Sequence, residues 1–353
     1  MIKRLFFLTV AAIACVQAQP SAMGQGREHN HDDPKLPAPI DDIIWWLPED
    51  TQSILVARGP FRPKAIDPKQ VFTPKPGEAL GVEQAFQSLA VEPLLGPLLG
   101  IVDSLTNRTA TLALDASRGL LRPEDAGQMA YRGCHILLLQ DDPGRSASSM
   151  VQSLRRGATK VEQLGGQQVF MFEKERHESV WKIYLAHPEP NLFICATDRD
   201  TLGTVLDRRT HRAGTRALPD HLPEWRVLDV SAKCWGLRHY KRGAEPPEPL
   251  SPFTGGSTGV VDLDAVGLVY AFNPGTGQAV HIKYLSENKD AVALAKRVWT
   301  NPGQGLMPAV KGEGPNVVGI SVPPQALENF GVLTMLRNML MWEFGHVISP
   351  NIL

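Results

Sequence analysis

The densest set of metal-type ligands in this chain is the run His29-Asn30-His31-Asp32-Asp33. Side chains alternate along an extended backbone, so His29 and His31 project to one side. With Asp32 or Asp33 they could pinch a Zn²⁺ or Cu²⁺ ion. The flanking residues 19–42 argue against a formed site. They are rich in Gly, Pro, Asp and amides and lack apolar periodicity, the composition of a solvated tether. A site there would have to order its own backbone on binding. The tether reading is preferred, and no cofactor is expected.

Anion recognition is the second chemistry on offer. Residues 199–242 hold ten Lys or Arg against five Asp or Glu. Arg208, Arg209, Arg212 and Arg238 could form a face for a sulfated or phosphorylated envelope polymer, their planar donor forks matching its oxyanions. The competing reading is a set of solvated helix ends and loops balanced by acids elsewhere.

Nucleophilic chemistry finds less support. Cys134 and His135 are neighbours, but neighbours on a strand point to opposite faces, so they are not a dyad with each other. Glu173, Glu175 and Glu178, near His177, sit where a strand ends and read as loop decoration. Asp262 and Asp264 share a strand face without the further oxygen ligands and glycine of a calcium loop. The motifs H-E-x-x-H, G-x-G-x-x-G and G-x-x-x-x-G-K-[ST] are all absent. A site assembled from scattered residues needs no such motif, so a hydrolase-type enzyme stays as the alternative to a binding protein.

The amino end bears on where any of this chemistry takes place. Lys3 and Arg4 precede a twelve-residue, mostly apolar stretch, Leu5 to Val16, the layout of a secretory signal peptide. Cleavage after Val16-Gln17-Ala18 would leave Gln19 first. Alternatively Ala12-Ile13-Ala14-Cys15 resembles a lipobox, with Cys15 lipidated. The expectation is an exported protein, periplasmic or extracellular, with a lipid anchor as the second option.

Loss of residues 1–18 lowers Lys+Arg from 36 to 34 against 37 Asp+Glu, a net charge of −3. Such a balance does not advertise nucleic acid as a partner. The greasy stretch Leu94 to Val102 is nine residues long, too short to span a bilayer, so the protein is not expected to be integral in a membrane. The mature chain keeps Cys134, Cys195 and Cys234, either as one disulfide plus a thiol or as three buried thiols.

The elements that would position these residues follow from periodicity. Order begins at Ile43, with Trp45, Trp46 and Leu47 as a docking plug and Ser53 to Ala57 as a first strand. Val82, Ala85, Phe86 and Leu89 fall at helical spacing. The segments "TATLALD", "CHILLLQ", "KVEQL", "QQVFMFE", "SVWKIYLA" and "NLFICAT" read as strands, with Gly165-Gly166 as a tight hairpin turn. Asp198 or Asp200 caps a helix carrying Leu202, Val205 and Leu206. Further on, "GLVYAFN" and "QAVHIKYLS" form a hairpin, Ser286 caps a helix, and "NVVGISV" leads into a long helix from Pro323-Pro324 to about Gly345. Its stripe of Leu327, Phe330, Leu333, Leu336, Leu340 and Phe344 is either buried or an interface.

Strands and helices mixed with tight hairpins predict an α+β fold with largely antiparallel sheets. A hairpin–cap–helix unit recurs around 180–212 and 267–299, a sign of duplication. The expected organisation is a signal peptide over 1–18, a tether over 19–42, and α+β domains or halves over 43–225 and 226–353.

The opening "WWLPEDTQSILVARG" and the cap "CATDRDTL" resemble those of exported bacterial proteins of unknown function. The resemblance implies export and assigns no catalytic residue. The reading is a non-catalytic binding or interaction protein of the cell envelope, whose partner is an envelope polymer or a protein.

Overall fold

The computed structural model describes residues 36–63, 81–91, 108–120, 131–141, 147–176, 179–240, 265–274, 279–299 and 308–344. The leader with Cys15, the His29, His31, Asp32 and Asp33 run, and His177, Glu178, Asp262 and Asp264 lie outside them.

Among the described residues twelve strands form one sheet: β1 (Ser53–Phe61), β2 (Ala110–Leu120), β3 (Tyr131–Leu139), β4 (Lys160–Leu164), β5 (Gln167–Arg176), β6 (Ser179–Glu189), β7 (Leu192–Ala196), β8 (Cys234–His239), β9 (Ala265–Phe272), β10 (Val280–Ser286), β11 (Ala309–Gly314) and β12 (Val317–Val322). Their spatial order is β11-β12-β10-β9-β8-β1-β2-β3-β7-β6-β5-β4. Every ladder is antiparallel, so the α+β, largely antiparallel expectation holds. Because β8 pairs with β1, the sheet crosses residue 225 without a break.

Eight helices lie among the described residues: α1 (Ala38–Trp46), α2 (Val82–Leu89), α3 (Ala147–Gly157), α4 (Arg199–His211), α5 (Glu224–Val227), α6 (Ala291–Trp299), α7 (Pro324–Leu327) and α8 (Phe330–Glu343). Helices α2, α3, α6, α7 and α8 pack their apolar residues into one core, with Leu55, Leu137, Phe193 and Tyr270 of the sheet. Helices α1, α4 and α5 fill a second core, with Ile54, Leu114, Ile136, Ile194 and Trp235. Alternate residues of β1, β3 and β7 thus enter different cores. Strands covered on both faces need apolar residues at every position, so "ILVA" and "LFICA" read as continuous runs.

Local chemistry explains several boundaries. Gly165 and Gly166 hold φ of 58° and 75°, the two left-handed residues that a primed hairpin turn requires between β4 and β5. Asp198 caps α4, its Oδ1 accepting from the Thr201 N–H at 2.7 Å. Gly236 permits a close approach: a Cβ there would stand 2.6 Å from Tyr270, 2.7 Å from Phe344 and 2.8 Å from Leu55.

Three boundaries differ from the sequence reading. The first helix opens at Ala38 rather than order starting at Ile43, because Ile40, Ile43 and Ile44 already share a buried face. Helix α6 opens at Ala291. Ser286 caps no helix; its hydroxyl accepts from the Asn288 N–H, and Asn288 in turn accepts from Asp290. The long terminal helix is two pieces, because the Asn329 side chain accepts from the Gly331 and Val332 N–H groups and starts α8 afresh.

Candidate functional site

Three adjacent strands bring an acid, a base and a thiol into one row. The register Asp115↔His135↔Cys195 across β2, β3 and β7 puts them on the same face, that of Leu137 and Phe193. Asp115 and His135 are 0% exposed, with His135 Nδ1 3.5 Å from Asp115 Oδ1. Neither ring nitrogen of His135 makes a hydrogen bond. No sequence motif marks this row, since its members are 20 and 60 residues apart and only register unites them.

The row has the composition of a hydrolytic triad but not its chemistry. Burial, and after it the Asp115 charge, pushes the Cys195 thiol up, far from thiolate formation at neutral pH. Cys134 enters the opposite core, as expected for a neighbour of His135, and burial raises its thiol too. Cys234, on β8, is raised in the same way.

All three are free. Cys134 and Cys195 lie on adjacent strands but in different cores. Cys195 and Cys234 share a core yet are separated by β1, β2 and β3, about 19 Å at ordinary strand spacing. A disulfide needs Cα atoms within about 7 Å and Cβ atoms facing each other, so the sheet rules out each of these pairs.

Arg208, Arg209, Arg212 and Arg216 of the basic stretch make contacts within the protein's own fold. Arg208 is buried and donates from Nε to the Trp45 carbonyl (3.1 Å), from one terminal nitrogen to Glu49 (3.2 Å), and from the other to the Thr215 carbonyl (2.5 Å). Arg209 pairs with Glu189 and lies 5.6 Å over the Trp46 ring. Arg212, left-handed at φ 46° where α4 ends, lies 5.0 Å over Trp45 and 3.8 Å from Asp42. Arg216 extends the pattern, between Asp41 and Asp220 and 5.3 Å over Trp225. These residues clasp the Trp45-Trp46 plug of α1 to α4. Only Arg212 keeps most of its side chain (58%) in solvent.

Arg238 is not part of that cluster. It alternates with Cys234 and Gly236 on β8, so it faces the other core. There it donates to the Glu343 carbonyl and lies 4.8 Å over Tyr240. Ser53, its cross-strand partner, donates to the Phe344 carbonyl at 2.9 Å. Arg238 and Ser53 therefore satisfy the exposed carbonyls at the end of α8. Burial raises the half-buried Glu343 carboxyl to about 7. Helix α8 itself is buried through Leu333, Leu336 and Leu340, and Phe344 just past its end is buried with them.

Two further polar pairs belong to the map. Glu224 of α5 is fully buried, with Oε1 2.8 Å from Nδ1 of the half-exposed His239. Ser321 Oγ lies 3.3 Å from His281 Nδ1, and burial, reinforced by Lys283, lowers the His281 pKa. An open groove of about 420 Å³ runs beside the clasp, lined among others by Glu49, Asp50, Arg118, Asp207 and Arg208. Arg118 grips both oxygens of Asp50 at 2.8 and 2.7 Å. The Thr215 N–H, ahead of Arg208, holds Glu49 below the usual carboxylate range. Among the described residues no three His, Cys, Asp or Glu side chains gather as a metal site, and no helix is long and apolar enough to cross a membrane.

No family model, curated protein or solved structure matches this chain. The roles of its residues rest on the geometry above.

Proposed function

We infer that this is an exported, non-catalytic binding protein of the cell envelope, contacting its partner at the corner where α4 meets α1. The observation that carries the reading is Arg212, stacked on Trp45 with its guanidinium largely in solvent. A guanidinium oriented by an aromatic ring and still hydrated offers a planar donor fork to the sulfate or phosphate groups of an envelope polymer. Arg209, over Trp46, extends that face. Arg208 and Arg238 support the fold behind it. Export is supported by the leader Lys3 to Ala18, and mass spectrometry of the mature amino terminus tests it.

Binding is tested by titrating the mature protein with dextran sulfate and with polyphosphate at low and high salt. The expected result is affinity that falls with salt and drops about tenfold, roughly 1.4 kcal/mol, when Arg209 and Arg212 are both changed to Gln. No binding at low salt, or binding indifferent to the double change, overturns the reading. A hydrolase-type function draws its support from the Ser321–His281 contact, where a neutral imidazole neighbours a hydroxyl. Covalent labelling of Ser321 by a fluorophosphonate would establish that alternative.

Strand order carries the internal repeat further than residue identity does. In space the first half runs β1-β2-β3-β7-β6 and the second β8-β9-β10-β12-β11, with β4-β5 as an extra hairpin at the end of the first. Helices α3 and α6 follow equivalent strands and enter the same core. On this pattern β9-β10-α6 corresponds to β2-β3-α3, a different register from the units around 180–212 and 267–299. The closing helices diverge, since α4 and α8 enter different cores.

A further inference from the structure

The two ends of the sheet are built differently. Among the described residues β11 and β4 are its terminal strands. A terminal strand turns the backbone N–H and C=O of every second residue outward, ready to pair with another strand. Strand β11 is protected: its register with β12 slips between Gly312 and Gly314, and bulges of this kind twist an edge away from partners. Strand β4 has no such break. All five residues, Lys160 to Leu164, pair with β5 in one register. Among the described residues Val161, on this strand, is the one large hydrophobic side chain that stands out as exposed, at 40%.

The sequence of β4 is also complementary to itself. Leu164 and Gln167 flank the two-residue turn as a bonded pair. By alternation Val161 and Gln163 then direct their backbone groups outward. An antiparallel meeting of two β4 strands about Val161 sets Val161 against Val161. It also sets Lys160 of each copy against Glu162 of the other. Lys160 and Glu162 share a strand face, where they already pair within one chain at 3.0 Å, and Arg199 reaches the same carboxylate at 3.0 Å. The two-fold arrangement thus alternates charges along the junction, and cross-strand pairs of opposite charge stabilise such a meeting.

We propose that β4 is a docking edge for a second copy of this chain, joining two sheets through an antiparallel β4–β4 pair. The contact is isologous and closes at two copies, since the other end of each sheet is the bulged β11. Five residues a side make a small interface, so the association is weak and depends on concentration.

Sedimentation equilibrium of the mature protein, from about 1 µM to about 1 mM, spans the range where so small an interface associates. The expected result is a reversible monomer–dimer equilibrium. Lys160→Glu and Glu162→Lys each place like charges across the junction, so either variant alone weakens the dimer at least tenfold. An equimolar mixture of the two restores opposite charges at both crossings and recovers association as a heterodimer. Unchanged circular dichroism shows that the variants are folded, and the mixture itself separates loss of the interface from loss of the fold. A monomer throughout the range, a dimer indifferent to both changes, or a mixture that stays monomeric overturns the proposal.

Discussion

Changing His135 to alanine probes the sealed row at the centre of the sheet. Asp115 and His135 are both 0% exposed and 3.5 Å apart, and water does not reach either. Removing the imidazole leaves the carboxyl sealed with one partner fewer and opens a ring-sized void. Breaking a buried pair in this way costs about 3–5 kcal/mol. In a chain of this size each kcal/mol corresponds to about 2 °C, so the melting temperature falls by roughly 6–10 °C. Asp115→Leu combined with His135→Phe fills the same space without polar atoms and is expected to lie within about 1 kcal/mol of the parent or above it. Urea unfolding followed by tryptophan fluorescence gives the His135→Ala cost directly, and on Asp115→Leu, His135→Phe and their double it gives the coupling energy. A His135→Ala cost below about 1.5 kcal/mol with zero coupling would refute the view that the imidazole compensates the carboxyl.

Two more outcomes follow from the packing of α8. Glu343 is raised from 4.5 to about 7, so the folded protein holds that proton more tightly than the unfolded chain. Its contribution is full below about 4.5 and is lost as the pH rises through about 7, on the order of 3 kcal/mol in all. Melting temperatures between pH 4.5 and 8 should show this decline, and Glu343→Gln should flatten it. Gly236→Ala forces a methyl against Tyr270, Phe344 and Leu55 and should cost about 1–3 kcal/mol by urea titration.

Most strands were legible because their apolar runs end at turn residues, as "KVEQL" and "QQVFMFE" do at Gly165-Gly166. Strand β8 was missed because "CWGLRH" lies within a basic stretch, and its Arg238 and His239 read as surface charge. Strand β11 was missed because "AVKGEG" is exposed and broken by glycine. The arginines were found by their density, but their work was not. Whether a guanidinium meets a ligand or the carbonyl of Trp45 depends on a helix more than 150 residues earlier in the chain. The Asp115, His135 and Cys195 row was invisible for a related reason. Each residue looks like an isolated polar interruption of a strand until register sets the three side by side.

The placement of the cysteines constrains how this chain can mature. Because the finished sheet accommodates no bridge between any of Cys134, Cys195 and Cys234, every cystine made among these three during folding is an error that must be undone. Wherever thiol oxidants are present, closure of the sheet around its sulfurs competes with their capture. Once closed, the same burial makes them poor targets for oxidation.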